Sequence, residues 1–281
     1  MSVTHEHEKA AIVGVGHVGS AMYQLIPDAV LYDPIRAIGC RGAVNRTQFA
    51  FICVPTPSAS DGSCDTSAVE EVIAWLETPF IVIRSTVSVG FTQKMREKYN
   101  KRIVFQPEYY GETPNHPYAD LRTRSWITLG GAAEDTEAVA GFYRGVYSGD
   151  VTILQSDSGS AELAKYMTNA FLAAKVIFCN EMYDIAARCG ISYEEAWRLW
   201  LADGRIGESH TRVFPDDRGY GGSCFPKDVR ALLFTAQSAG LSLHQLEGTQ
   251  RQNAVSRGRK RSLSSLVSAR GIGQDTPTAQ K

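Results

Sequence analysis

The chain has 281 residues, 43% hydrophobic and 21% charged, and its 29 lysines and arginines nearly balance 30 aspartates and glutamates. That composition fits a soluble globular protein of one large or two modest domains, and the near-neutral balance removes any global argument for nucleic acid or a membrane as partner. Six cysteines lie scattered without CxxC pairs, which argues against a zinc site or a disulfide framework and for a reducing cytoplasm. Met1–Lys9 has no apolar signal core, and its two histidines read as a solvated tail rather than a metal site. No apolar run approaches the roughly 20 residues of a membrane span.

Ala10–Val15 reads as a buried strand running into Gly14-Val15-Gly16-His17-Val18-Gly19, followed by a helical pattern through Ile26 that Pro27 and Asp28 end. Further strands are expected at Ala29–Asp33, Phe49–Val54 and Phe80–Ile83, with a helix of about a dozen residues from Thr66 before the last of these. Ile103–Phe105, Trp126–Leu129 and Val151–Leu154 complete the series. Strands alternating with helices predict an α/β fold with a mostly parallel sheet covered on both faces.

From Ser158 the character changes. Ala161–Cys189 carries no proline or glycine and keeps helical apolar spacing for about eight turns. A shorter helix is expected at Ser192–Ala202, with Ser192 as N-cap and Glu194 and Glu195 in its first turn. A glycine-rich loop, Gly204–Ser223, leads into a helix after Cys224, and Leu243 to about Val267 reads as a last helix before a polar, disordered tail. Arg257, Arg259, Lys260 and Arg261 form a small basic cluster, read as a solvated helix face, with a phosphate or partner patch as the alternative.

The GxGxxG of Gly14, Gly16 and Gly19 follows a strand, opens a helix and is answered by Asp33, nineteen residues beyond Gly14 at the tip of the next strand. In that context the glycines permit a tight turn and close approach of a pyrophosphate to the helix N-terminus, where His17 and Val18 also lie. Asp33 would accept hydrogen bonds from an adenosine ribose and repel a 2′-phosphate, which predicts NAD rather than NADP; Arg36 would flank the adenine, with admission of NADP as its alternative role. Thr56 in Val54-Pro55-Thr56-Pro57 and Thr86 in Arg84-Ser85-Thr86-Val87 follow other strand ends, where ligands of open sheets bind; each hydroxyl equally suits a turn or cap.

In the second half, Gly219-Tyr220-Gly221-Gly222-Ser223-Cys224-Phe225-Pro226-Lys227-Asp228 puts a thiol where a helix begins. The glycines give a flexible approach, Pro226 suits a first helical turn, and the helix dipole with Lys227 nearby makes an environment suited to a nucleophile. A buried, inert cysteine beside a capped helix is the competing reading. Lys165 and Asn169 share one face of the long helix, as a site pair or as surface decoration. Glu108 and Glu112, in a proline-flanked loop after a strand, are carboxylates for the same cleft or for solvent.

Together these segments resemble the UDP-glucose/GDP-mannose dehydrogenase family. The matching pieces are Gly14–Gly19, Val54–Pro57, Ser85–Val87, Pro107-Glu108, Ala161–Phe171, Arg205-Ile206-Gly207 and Gly219–Asp228, in family order. The cysteine motif separates this family from the related 6-phosphogluconate and hydroxyacid dehydrogenases. The resemblance implies a Rossmann-type NAD-binding domain over 1–156, a helical central domain with the catalytic cysteine loop over 157–268, and a disordered tail over 269–281.

It further implies four-electron oxidation of a nucleotide sugar, UDP-glucose foremost, to the uronate with NAD⁺, in the cytoplasm and in service of polysaccharide biosynthesis. Cys224 would capture the aldehyde and carry a thioester, Lys165 would stabilise oxyanion charge, Asn169 would hold the reacting oxygen, and Asp228 would orient Lys165 or a water. Glu108 would act as hydrolytic base and Thr86 would position water and cofactor. Glu112, Lys227 and Thr56 would surround the nicotinamide. Gly221 would let the loop backbone approach the sugar, and Arg205 would reach the nucleotide across a homodimer built on the long helix. No metal is implied.

The chain departs from the family pattern in two places. Only fourteen residues, Pro34–Thr47, separate the second and third strands, so a peripheral strand or helix is expected to be absent. The family's C-terminal UDP-binding domain has no counterpart here, so a short form is expected. Two alternatives follow: an NAD-linked dehydrogenase of another sugar or hydroxyacid, and a truncated non-catalytic NAD- or partner-binding module.

Overall fold

A computed structural model describes residues 10–109, 120–147 and 151–269, with side chains described as far as residue 258. Short apolar runs form the strands β1 (Ala10–Val13), β2 (Val30–Tyr32), β3 (Phe49–Ile52), β4 (Phe80–Ile83), β5 (Ile103–Phe105), β6 (Trp126–Gly130) and β7 (Thr152–Ser156). They build one sheet of order β2-β1-β3-β4-β5-β6-β7, parallel throughout except where β5 meets β6 at Phe105 and Gly130. The expected mostly parallel sheet is present.

Strands β1, β3, β4 and β5 are buried on both faces, as a parallel sheet under two helical layers requires. Their side chains alternate. Ile12, Phe49, Phe51, Phe80, Val82 and Val104 pack on one face with Met22 and Tyr143. Val13, Ile52, Ile81, Ile83 and Phe105 pack on the other with Val69, Ile73 and Met95.

The helices are α1 (His17–Leu25), α2 (Arg41–Val44), α3 (Ser67–Trp75), α4 (Phe91–Tyr99), α5 (Ala133–Val146), α6 (Ser158–Cys189), α7 (Tyr193–Trp200), α8 (Phe225–Ser238) and α9 (His244–Ala269). Strand β1 stops two residues short of its expected end, because Gly14 takes φ +92° and turns the chain out of the sheet. The helix expected from Thr66 runs only nine residues, and one short helix, α2, occupies the Pro34–Thr47 segment. Helices α4 and α5 were not expected from the sequence; α4 buries only Phe91, Thr92 and Met95, whereas α5 packs Val139, Ala140 and Tyr143 into the sheet core. The N-terminal tail before Ala10, Glu112, and the polar tail after Ala269 lie outside the described residues, as do the side chains of Arg259, Lys260 and Arg261.

The described residues up to Thr168, with Arg230–Gly240, form one compact unit; Asn169–Val229 and the described residues from Leu241 form the other. In the first unit, the fully buried Glu162 of α6 accepts the N–H of Gly90 (2.6 Å) and of Thr92 (2.9 Å). A carboxylate thus caps the start of α4, whose N-cap Gly90 has no side chain to do so, and fixes α6 to the segment after β4. Replacing Glu162 with Ala should lower the urea-unfolding free energy by about 1–3 kcal/mol, the cost of orphaning such groups. An unchanged midpoint would show that water serves α4 equally well.

Candidate active site

The carboxyl ends of the strands gather most of the expected cofactor residues at one edge of the sheet in the first unit; Glu112 lies outside the described residues and Lys227 belongs to the second unit. After β1, Gly14 sits against β3: a Cβ there would lie 2.8 Å from the Cys53 carbonyl oxygen. A Cβ on Gly19 would collide with the Gly14 carbonyl oxygen, so α1 can pack this closely only with glycine. Gly16 differs, because among the described residues nothing beyond its own chain neighbours lies within 4 Å of the position its Cβ would take. It is the N-cap of α1, and no side chain caps it. A bare helix start with open space above it fits a pyrophosphate, and His17 and Val18 stand in the same first turn.

Asp33 closes this turn from β2. Its Oδ2 accepts the Val15 N–H (3.0 Å), and its Oδ1 accepts the N–H groups of Ile35 (3.0 Å) and Arg36 (3.2 Å). The Val15 bond holds the carboxyl below its usual range, helped by the Arg36 and Ile35 amides and the Arg36 guanidinium, against the opposing effect of burial. The exposed Arg36 guanidinium approaches to 3.9 Å. Spare lone pairs on the carboxylate remain suited to ribose hydroxyls.

Strands β3 and β4 lead into the two threonine loops, and these are tied to one another. Ser85 Oγ donates to the Val54 carbonyl (2.7 Å), and the Cys64 thiol reaches the carbonyls of Thr86 (3.3 Å) and Thr56 (3.9 Å). Cys64 bridging the loops is a feature the sequence reading missed, because a lone cysteine in a turn carries no local signal. After β5, Glu108 is buried between two guanidiniums: Arg84 and Arg124 each bind one of its oxygens. The expected hydrolytic base is therefore held as the shared anion of two buried cations, an arrangement suited to fixing its loop. Next to it, Tyr109 stacks near Trp126 and lies under the buried Lys165, whose Nζ is 4.8 Å from the ring centroid.

In the second unit, Cys224 is exposed and is the N-cap residue of α8: its carbonyl accepts the Asp228 N–H at 2.9 Å. A thiol at a helix start is what the sequence predicts. The Ser223 hydroxyl lies 3.6 Å from Sγ. Asp228, fully buried one turn on, accepts from Asn169 Nδ2 (2.5 Å) and from Lys227 Nζ (2.6 Å), so three expected site residues form one ion-dipole cluster. Arg205 instead points to solvent, 88% exposed, in a two-pronged pair with Asp203. The space where a Gly221 Cβ would point is taken by the Arg257 guanidinium, 3.1–3.4 Å away, rather than left open.

The pH dependence of Asp33 has a definite sign. Its folded pKa lies below the unfolded value of about 3.9, so its contribution to stability is present above that pH and disappears as pH falls through the folded pKa. The thermal-midpoint gap between the parent and Asp33→Asn should therefore stay constant from pH 7 to about pH 5 and shrink as the pH falls below about 3.9. A pH-independent gap would mean that the charge of Asp33 is not what Val15 binds.

Residues 37–147 match the NAD binding domain of the UDP-glucose/GDP-mannose dehydrogenase family, and residues 159–255 match its central domain. UDP-glucose 6-dehydrogenase of Pseudomonas aeruginosa is 33% identical over 224 residues, which make up 74% of this chain and 48% of that protein. The enzyme of the same name from Rhizobium meliloti is 33% identical over 243 residues, 81% of this chain and 54% of that one. The chain spans about half the length of the curated relatives it matches. Among solved structures, a UDP-glucose dehydrogenase from the archaeon Pyrobaculum islandicum superposes with a TM-score of 0.76 at 25% identity, over 91% of this chain and 70% of that one. A 3-hydroxyisobutyrate dehydrogenase of Mycobacterium tuberculosis, at 14% identity and a TM-score of 0.65, shares the fold alone. With two domain models of one family matched in order along its length, the chain belongs to the UDP-glucose/GDP-mannose dehydrogenase family.

Proposed function

We propose that this chain carries out the NAD-dependent four-electron oxidation of a nucleotide sugar, UDP-glucose foremost, to its uronate, with Cys224 as the covalent nucleophile. The observation that carries the proposal is the N-cap thiol of Cys224 in the same unit as the buried Asn169–Asp228–Lys227 cluster. A cysteine motif of this kind serves no purpose in simple dinucleotide binding. The glycine turn, Asp33 and the two threonine loops would hold NAD⁺, which accepts a hydride at each of the two oxidations when bound.

The chain's own groups supply the rest. Cys224 Sγ adds to the carbonyl carbon of the sugar aldehyde, the C–S bond forming as the carbonyl oxygen takes a proton. Loss of a hydride to the nicotinamide and of the hydroxyl proton to water from that thiohemiacetal would leave a thioester, and attack by water would release the carboxylate and a proton and return the thiol. Lys165 offers an ammonium to the oxygen on which charge builds. Asp228 binds one N–H of the Asn169 amide, which fixes the plane in which the other N–H is offered to that oxygen. Lys227 balances the Asp228 charge through a 2.6 Å ion pair, which holds the carboxylate in place beside Asn169. Glu108 anchors the loop after β5 through Arg84 and Arg124, and the proton-accepting role is not assigned to it.

A homodimer through α6 is part of the proposal. Leu163, Met167, Phe171, Phe178 and Ile185 stand 42–67% exposed at intervals of four and seven residues, an apolar stripe along one helix. Six free cysteines suit a reducing compartment, the cytoplasm, where uronate sugars would feed polysaccharide assembly. No described helix is long and apolar enough to cross a membrane.

Incubation with UDP-glucose and NAD⁺ should give two NADH per sugar and a uronate product. Cys224→Ala should abolish uronate formation. A folded, NAD-binding sample that turns over no nucleotide sugar would sink the proposal. Gly16→Val should still fold, since a Cβ there meets nothing beyond its own chain neighbours within 4 Å, with only the small midpoint loss of a poorer N-cap, while weakening NAD⁺ binding by at least about ten-fold in a fluorescence titration. Equal NAD⁺ affinity in that variant would mean that the pyrophosphate does not use this turn.

A further inference from the structure

We infer that Asn253 of α9 is the positioning residue for the Cys224 thiol. The loop before Cys224 has no strand or helix to satisfy its backbone, and side chains from two helices do so instead. Gly219 N–H donates to Asn180 Oδ1 of α6 (3.1 Å), and the next amide, Tyr220 N–H, donates to Asn253 Oδ1 (2.8 Å). Asn253 Nδ2 in turn donates to the Tyr220 carbonyl (3.1 Å). Both bonds would be lost if the amide were flipped, so its orientation is determined by its partners.

Two of the motif's three glycines, Gly219 and Gly221, are explained by this clamp. Gly219 takes φ +75°, and a Cβ there would stand 2.5 Å from Asn253 Oδ1. Gly221 lies under Arg257, one turn along α9 from Asn253, which is paired with Asp217 at 2.7 Å. The segment expected as a flexible approach is thus grasped on both sides, with Arg218 adding bonds to Asn180 (2.5 and 2.7 Å) and Asp184 (2.9 Å).

The grip passes to the thiol through one aromatic contact. Tyr220, 5% exposed, packs edge-on against Phe225 at 6.3 Å between centroids, and the His210 ring lies 5.4 Å from the same side chain. Phe225 is the first residue of α8 and directly follows Cys224. Fixing Tyr220 therefore fixes the start of α8, and with it the direction in which Sγ projects. Asn253 itself does not touch the reacting atoms.

The consequence for catalysis rests on the function proposed above, but the test requires no turnover. The protein has three exposed cysteines, Cys40, Cys189 and Cys224, and three buried ones, Cys53, Cys64 and Cys179. Iodoacetamide labelling of the whole chain, followed by peptide mass spectrometry, reads all six rates in one sample. In Asn253→Ala, Cys224 labelling should fall about five-fold, as expected for two lost neutral hydrogen bonds, while Cys40 and Cys189 keep their rates and the buried thiols stay protected. A Cys224 rate that is unchanged, raised, or altered in parallel with Cys40 and Cys189 overturns the inference. If the buried cysteines become labelled, Asn253→Asp decides instead. It keeps the acceptor for Tyr220 N–H but sets a carboxylate oxygen against the Tyr220 carbonyl, and a Cys224 rate equal to the parent's in that folded variant overturns the inference equally.

Discussion

Backbone amides in irregular segments must find acceptors, and in this protein the segments that carry the candidate chemistry find them on side chains reached from neighbouring elements. Asp33 takes the Val15 N–H of the glycine turn, Glu162 takes those of Gly90 and Thr92 after β4, and Asn180 and Asn253 take those of Gly219 and Tyr220 before the thiol. Each acceptor comes from a regular element or its end, so a loop free of secondary structure inherits the rigidity of a strand or helix. An unmade bond at any of these sites would leave a backbone donor without its acceptor.

Charge is handled in the same way. Each of the acidic groups withdrawn from water is shared among donors: Glu108 between Arg84 and Arg124, Asp135 between Arg96 (3.2 Å) and Arg102 (2.5 Å) at the first turn of α5, and Asp228 between Asn169 and Lys227. Removing one partner from such a group leaves a buried charge uncompensated, which costs more than the pair itself contributes. These clusters therefore specify the conformation of the chain around them more than they add to net stability. Glu108 shows the consequence: a carboxylate held between two guanidiniums fixes the segment that carries it.

Much of the fold was legible along the chain. The strands Phe80–Ile83 and Ile103–Phe105 fall where their apolar runs place them, the α1 helix ends before Pro27, and Ser192 caps α7 through the Glu195 N–H. In these cases the deciding physics is local: β-branched and aromatic runs, a missing proline N–H, a hydroxyl at a helix start. Helix α4 was not legible, because it buries only Phe91, Thr92 and Met95, and α5 was passed over although Val139, Ala140 and Tyr143 pack into the core.

The site divides along the same line. Gly14, Gly19, Asp33 and the placement of Cys224 at a helix start follow from spacing alone, since a turn, a strand tip and an N-cap are decided within a few residues. The sequence by itself also placed Lys165 and Asn169 four residues apart on one helix. Only the tertiary structure assigned Asp228 to Asn169 and Lys227, withdrew Glu108 between two arginines, set Tyr109 beneath Lys165, and filled the space over Gly221 with Arg257. Those partners lie 16 to 59 residues apart in the chain apart from neighbouring Lys227. A side chain's ionic or hydrogen-bonding partner at such separations is set by how helices pack, and no local pattern encodes it.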